Sequence, residues 1–168
     1  MKDRYSVQIE PKSKLSSDDW KKLGSMMQNL KDQEQKWIDD FEQKQKPFGR
    51  FIIGRIYPKL TIRSSKEMFK DSNILIVARD TNDSDIVGFC AIVADINSSS
   101  FICAGLYVEP SNRNHGIASQ LLELAKTKCK EEGFDQFSLR VSSKNRPAQK
   151  LYKKLGFATT GYLMDCFV

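Results

Sequence analysis

Residues 103–119 read CAGLYVEPSNRNHGIAS, and this stretch limits the folds open to the chain more than any other. An apolar run suited to a buried strand breaks at Pro110, a polar loop carrying Arg113 follows, and at Gly116-Ile117-Ala118 a helical pattern begins. We read it as a strand, a loop and a helix N-terminus in direct succession. The first turn of a helix carries backbone N–H groups with no intrahelical partner and the positive end of the macrodipole, so a loop that brings an arginine and a glycine there suits an anion. A pyrophosphate is the natural guest.

The flanking segments supply a sheet for this unit. Tyr5, Val7 and Ile9 alternate with polar residues as in a half-buried strand that stops at Pro11. Residues 16–19 (Ser-Ser-Asp-Asp) offer helix caps and first-turn acids, and Trp20, Leu23, Met26, Met27 and Leu30 recur at helical spacing. One or two helices are expected to about residue 45, with a turn or exposed lid where residues 28–35 become polar. A helix is expected over 47–55. Residues 74–78, 86–94 and 101–108 are strand-like runs joined by polar turns, so they should form an antiparallel meander, with Gly88 as the site of a bulge.

Beyond the loop, Ile117, Leu121, Leu122, Ala125 and Cys129 make one apolar stripe that stops at Gly133. Residues 137–141 alternate as a further strand. A helix between two strands demands a crossover, which makes this last strand parallel to 101–108. Asn145 caps a final helix with Pro147 in its first turn, the apolar positions Ala148, Leu151, Tyr152 and Leu155 share one face, and Gly156 ends it. Residues 157–168 should return as one or two strands. The fold class is therefore α/β, with a mixed sheet.

At 168 residues the chain is the size of one domain, and we treat 1–168 as a single unit. No run approaches the ~18 apolar residues of a membrane span. The N-terminal residues are charged and lack the apolar centre of a signal peptide, and the four cysteines read as buried free thiols, so a cytoplasmic protein is expected. No Cys/His spacing suggests a metal site. The formal net charge of +6 attracts anions in general, yet the basic residues read as interleaved with acids, which disfavours a nucleic-acid partner.

Two motifs stand together: Val108-x-Pro110-x-x-Arg113-x-x-Gly116-x-Ala118 after one strand, and Asn145-x-x-Ala148-x-x-Leu151-Tyr152-x-x-Leu155-Gly156-Phe157 after the next. Their order and spacing resemble the GNAT superfamily of acyl-CoA-dependent N-acetyltransferases. The resemblance implies a three-layer fold in which the meander leads into a parallel β-α-β crossover whose strands splay apart. It also implies acetyl-CoA as co-substrate, with no metal. The pyrophosphate would lie against Arg113, Asn114, His115, Gly116, Ile117, Ala118 and Ser119, and the pantetheine arm along Leu106, Tyr107 and Val108. Asn145 would contact the same arm.

By the same resemblance Tyr152 would protonate the departing thiolate, and the backbone N–H near Val108 would stabilise the oxyanion. The base that takes the proton of the attacking amine is not carried by either motif; Glu109 and Asp95 are the candidates. The implied activity is transfer of an acetyl group to a primary amine of a small molecule, peptide or protein, by direct attack in a ternary complex. Two alternatives stay open: a CoA-binding regulatory module with weak chemistry, and a tRNA-directed acetyltransferase. A homodimer is also open.

Overall fold

In a capping box, Ser16 Oγ accepts from the Asp19 N–H at 3.1 Å and Asp19 Oδ2 accepts from the Ser16 N–H at 2.9 Å. The helix it starts, α1, runs unbroken over Ser17–Lys44. The turn expected within 28–35 does not form. That stretch is polar because it is mostly exposed, and its Gln, Lys and Glu residues are good helix formers. The computed structural model describes residues 4–44, 69, 73–95 and 100–161, with the side chains of 37–44 and 95 excepted. The helix expected over 47–55, Cys166 and the chain beyond 161 lie outside these residues, as do 97–99 of a polar turn expected over 97–100, whose last residue, Ser100, begins a strand.

The other elements follow in order: β1 (Tyr5–Ile9), β2 (Ile74–Asp80), β3 (Ile86–Asp95), β4 (Ser100–Val108), α2 (Ile117–Glu131), β5 (Gln136–Leu139) and α3 (Arg146–Lys154). One five-stranded sheet carries them in the order β1-β2-β3-β4-β5. Its first three pairings are antiparallel and the β4–β5 pairing is parallel, as a meander followed by a crossover requires. β5 is shorter than the expected 137–141 and leaves Val141 exposed.

The chain divides into two compact units, Met1–Lys31 with Arg63–Arg140, and Asp32–Ile62 with Val141–Val168. The first holds the whole sheet, with helices on both faces. Leu23, Met26 and Met27 of α1 pack with Leu75, Val77, Phe89, Ala91 and Tyr107, together with Phe69. On the opposite face Ile117, Leu121, Ala125 and Cys129 of α2 pack with Ile76, Ala78, Cys90, Ile92, Phe101 and Val108. Because both faces are covered, β2 and β3 read as continuous apolar runs instead of alternating ones. Cys90 and Cys103 are free thiols whose sulfurs approach to 3.8 Å, and this contact, with burial, holds the Cys90 thiol well above its ordinary range.

In the second unit Asn145 Oδ1 accepts from the Ala148 N–H at 3.2 Å and so caps α3. At its C-terminus Phe157 N–H donates to Tyr152 O and Gly156 N–H to Lys153 O, a Schellman closure that a glycine with φ +85° permits. Residues 157–161 are not a strand, contrary to expectation; 158–161 are exposed polar or small residues with no strand pairing.

The N-terminus of α1 is tied to the sheet through Arg79. Its Nη1 donates to Asp19 at 2.7 Å and its Nη2 to Glu10 at 3.0 Å. The Arg79 hydrogen bond lowers the Asp19 pKa to about 2, against burial, which opposes it. An unfolded Asp titrates near 3.9, so the folded state binds fewer protons between these values. This contribution to stability is complete above about pH 4 and is lost as pH falls toward about 2. The urea midpoint should therefore fall on acidification through that window, and Asp19→Asn should show a smaller fall; equal acid sensitivity in the variant would remove Asp19 from the account.

Candidate active site

The middle of β4 is irregular, and that irregularity builds the site. Ala91 faces Gly105 and Ile92 faces Cys103, so Ala104 is left over as a β-bulge. On its other side β4 pairs with β5 only from Ser100↔Gln136 to Cys103↔Leu139. Parallel pairing thus stops at the bulge. Among the described residues, Gly105 to Val108 have a strand partner on the β3 side alone. The expected splay is this loss of pairing.

The open edge presents particular backbone groups. Glu109 N–H donates to Val87 O at 2.9 Å, so the alternation of an extended strand turns the N–H and C=O of Val108 and Leu106 away from β3. The Val108 carbonyl accordingly accepts from Arg113 Nε at 3.0 Å. The bulge expected at Gly88 sits one residue earlier: Ala78 faces Gly88 and Arg79 faces Ile86, which leaves Val87 over. Gly88 serves close approach instead. A Cβ there would lie 3.0 Å from Tyr107 O and 3.2 Å from Val108 Cγ2.

Past Val108 a 3-10 turn, Pro110–Asn112, leads into the loop. Buried Asn112 anchors it, with Nδ2 donating to Tyr5 Oη at 3.4 Å, and exposed His115 lies over Tyr5 with ring centroids 5.7 Å apart. Asn114 and Gly116 both take positive φ, 65° and 78°. The first α2 bond runs from Gln120 N–H to Gly116 O, and no side chain caps the helix. The N–H groups of Ile117, Ala118 and Ser119 therefore have no intrahelical acceptor. A Cβ on Gly116 would meet nothing within 4 Å, so the cradle is open as well as donor-rich. Arg113 is held at the loop mouth by Val108 and by the Tyr107 ring, 5.7 Å from its guanidinium carbon.

On the α1 face Tyr107 and Glu109 come together, Tyr107 Oη donating to Glu109 Oε2 at 3.4 Å, with Lys22 Nζ of α1 3.9 Å from Glu109 Oε1. Burial and the Glu109 charge push the Tyr107 phenol up, while Asn29 and Arg113 pull it down. Sequence reading passed over the Lys22 and Asn29 contributions because helical spacing does not disclose which polar residue faces a strand end. The Ala104-Gly105 pair, two small residues within an apolar run, was the available signal for the bulge. The two base candidates separate: Asp95 pairs with Ser100, seven positions from the Gly88↔Val108 level, roughly 23 Å along the strands. Only Glu109 lies beside Val108.

In the second unit Tyr152 is half-buried on α3, its ring edge-on to Phe157 at 5.9 Å. Among the described residues no three His, Cys, Asp or Glu side chains are grouped to hold a metal, and no helix is long and apolar enough to cross a membrane.

The profile of the acetyltransferase (GNAT) domain matches residues 70–159, more than half of the chain. The chain belongs to the GNAT acetyltransferase family. Streptothricin acetyltransferase of Streptomyces lavendulae is 30% identical over 79 residues, 47% of this chain and 42% of that protein. A Bacillus subtilis (strain 168) protein provisionally named a [ribosomal protein bS18]-alanine N-acetyltransferase is also 30% identical over 79 residues, 47% of this chain and 51% of its own length. The match thus spans about half the length of these curated relatives. The aminoglycoside N-acetyltransferase AAC(6')-Iy, solved in complex with CoA, shares the fold at a TM-score of 0.62 and 18% identity, over 97% of this chain and 98% of that one.

Within this GNAT chain, Gly88→Ala tests the close contact behind Val108. Overpacking there should cost about 1–3 kcal/mol in chemical denaturation. An unchanged unfolding midpoint would show that β3 and β4 move apart without strain.

Proposed function

We propose that the 168 residues act as one N-acetyltransferase domain that moves an acetyl group from acetyl-CoA to a primary amine by direct attack in a ternary complex. The observation that carries this reading is the half-paired β4 edge from Gly105 to Val108, continuous with the open N-terminus of α2. A pantetheine arm carries amide groups that can bond to Leu106 and Val108 as an added strand would. The N–H groups of residues 114–119 suit its pyrophosphate, since the helix end is uncapped and Gly116 leaves the approach clear. Arg113 adds positive charge at the mouth of that loop.

In this mechanism the amine attacks the thioester carbonyl, and the Val108 N–H faces the oxygen on which charge develops. Glu109, paired with Tyr107 and Lys22, accepts the proton of the amine, and Tyr152 returns a proton to the departing thiolate. Asn145 caps α3 and thereby sets the start of the helix that carries Tyr152. The curated relatives are named for acetyl transfer to streptothricin and, provisionally, to an alanine of a ribosomal protein. These acceptors are all amines, which supports an amine acceptor here. The buried free thiols of Cys90 and Cys129 are in keeping with action in a reducing cytoplasm.

Incubation with labelled acetyl-CoA and a panel of amines tests the reading by transfer of label. Gly116→Glu should abolish acetyl-CoA binding in calorimetry while circular dichroism stays native. Tyr152→Phe should lower kcat about 100-fold or more with the KM for acetyl-CoA little changed. An unchanged kcat with chemistry rate-limiting would reassign Tyr152 to packing on Phe157.

A further inference from the structure

Of the 27 Lys and Arg residues, six fall within 140–154, a segment without a single Asp or Glu, and the remaining 21 are matched by the 21 acids of the chain. The entire formal excess of +6 is therefore local. The expectation that cations and acids interleave holds only outside this segment. Five of the six, Lys144, Arg146, Lys150, Lys153 and Lys154, belong to the second unit and are exposed.

Helical geometry aligns four of them. At 100° per residue, Arg146, Lys150, Lys153 and Lys154 fall within an arc of about 100° on α3, along a rise of about 12 Å. Ala148, Leu151, Tyr152 and Leu155 occupy the other side and are all partly buried. Lys144 extends the row at the helix start. Among the described residues none of these five cations makes an ion pair, whereas Lys22, Lys126 and Lys128 all do. A solvated face on a charge-balanced protein mixes signs; this one does not.

We propose that this stripe docks the phosphodiester backbone of a single-stranded nucleic acid. Arg146, Lys150 and Lys153 follow one another at rises of about 6 and 4.5 Å, with Lys154 beside Lys153, and such a row complements a polymer that carries one negative charge at every backbone repeat. The row is one side chain deep, which suits one strand. It bears no aromatic residue on which bases could stack, so the contact reads charge and not sequence. Among the described residues of α3, Pro147 alone is apolar and exposed beside the cations, far short of the apolar face that insertion into a lipid surface would require. The inference stands apart from acetyl transfer, because its readout is binding alone.

The test titrates the full chain against fluorescein-labelled oligouridylate and its deoxythymidylate counterpart between about 50 and 200 mM salt. For three to four phosphate contacts the log–log salt slope should be about −2 to −3, with RNA and DNA bound alike. The variant Lys150→Gln/Lys153→Gln/Lys154→Gln should lose affinity roughly tenfold or more at low salt and flatten the slope by about 2. A control of equal charge change, Lys14→Gln/Lys21→Gln/Lys130→Gln, should lose far less. Equal losses in the two triple variants would overturn the stripe in favour of net charge. The proposal also fails if vesicles of phosphatidylcholine and phosphatidylserine bind through the stripe while the oligonucleotides do not. It fails again if the KM for acetyl-CoA rises as far as oligonucleotide affinity falls, which would make the stripe part of the acetyl-CoA site.

Discussion

The structure depends on one unpaired residue. Ala104 is left over between the Ala91↔Gly105 and Ile92↔Cys103 pairs, and the parallel bonds to β5 end at Cys103↔Leu139. A buried backbone group without a partner costs on the order of 1–3 kcal/mol, so a strand edge inside a domain needs something to satisfy it. The edge from Gly105 to Val108 is satisfied by Arg113 at one point, the Val108 carbonyl. Among the described residues no other strand or side chain bonds to that edge. A bulge also increases local twist.

Around this edge the two sheet faces divide the work. The α2 face supplies a packed core and the uncapped helix N-terminus, with the loop anchored to β1 through Asn112 and Tyr5. The α1 face supplies aromatic packing from Phe69 through Phe89 to Tyr107, and it ends in polar groups, Tyr107 Oη, Glu109 and Lys22. Successive residues of a strand point to opposite faces. Tyr107 and Glu109 therefore share the α1 side, while Val108 between them packs toward α2 and presents its N–H along the open edge.

Much of this was legible in the residues. The loop and the helix that follows it read directly from Pro110, Arg113 and Gly116, because loop punctuation and helix starts are local chemistry. The meander read from apolar runs between polar turns, and the parallel β5 from the need for a crossover. The errors were also physical in origin. Residues 28–35 look like a turn because they are polar, but a long helix can turn such a stretch to solvent. Gly88 looks like a bulge, yet its value is the 3.0 Å approach that a Cβ would have to Tyr107 O. The cation stripe on α3 was hidden by totals, since charge averaged over the chain conceals where it is concentrated.

By itself the sequence determined the strand–loop–helix unit, the meander of β2 to β4, a cap within residues 16–19, the cap at Asn145 and the helix stops at Gly133 and Gly156, all of which rest on interactions between residues close in the chain. Tertiary structure decided what depends on register. It set the bulge at Ala104, the end of the β4–β5 pairing at Cys103, and the place of Tyr107 and Glu109 beside Lys22. It also put Asp95 at the far end of the sheet from Val108. Periodicity tells which face a residue takes, but only the pairing of strands tells which residues stand level with one another.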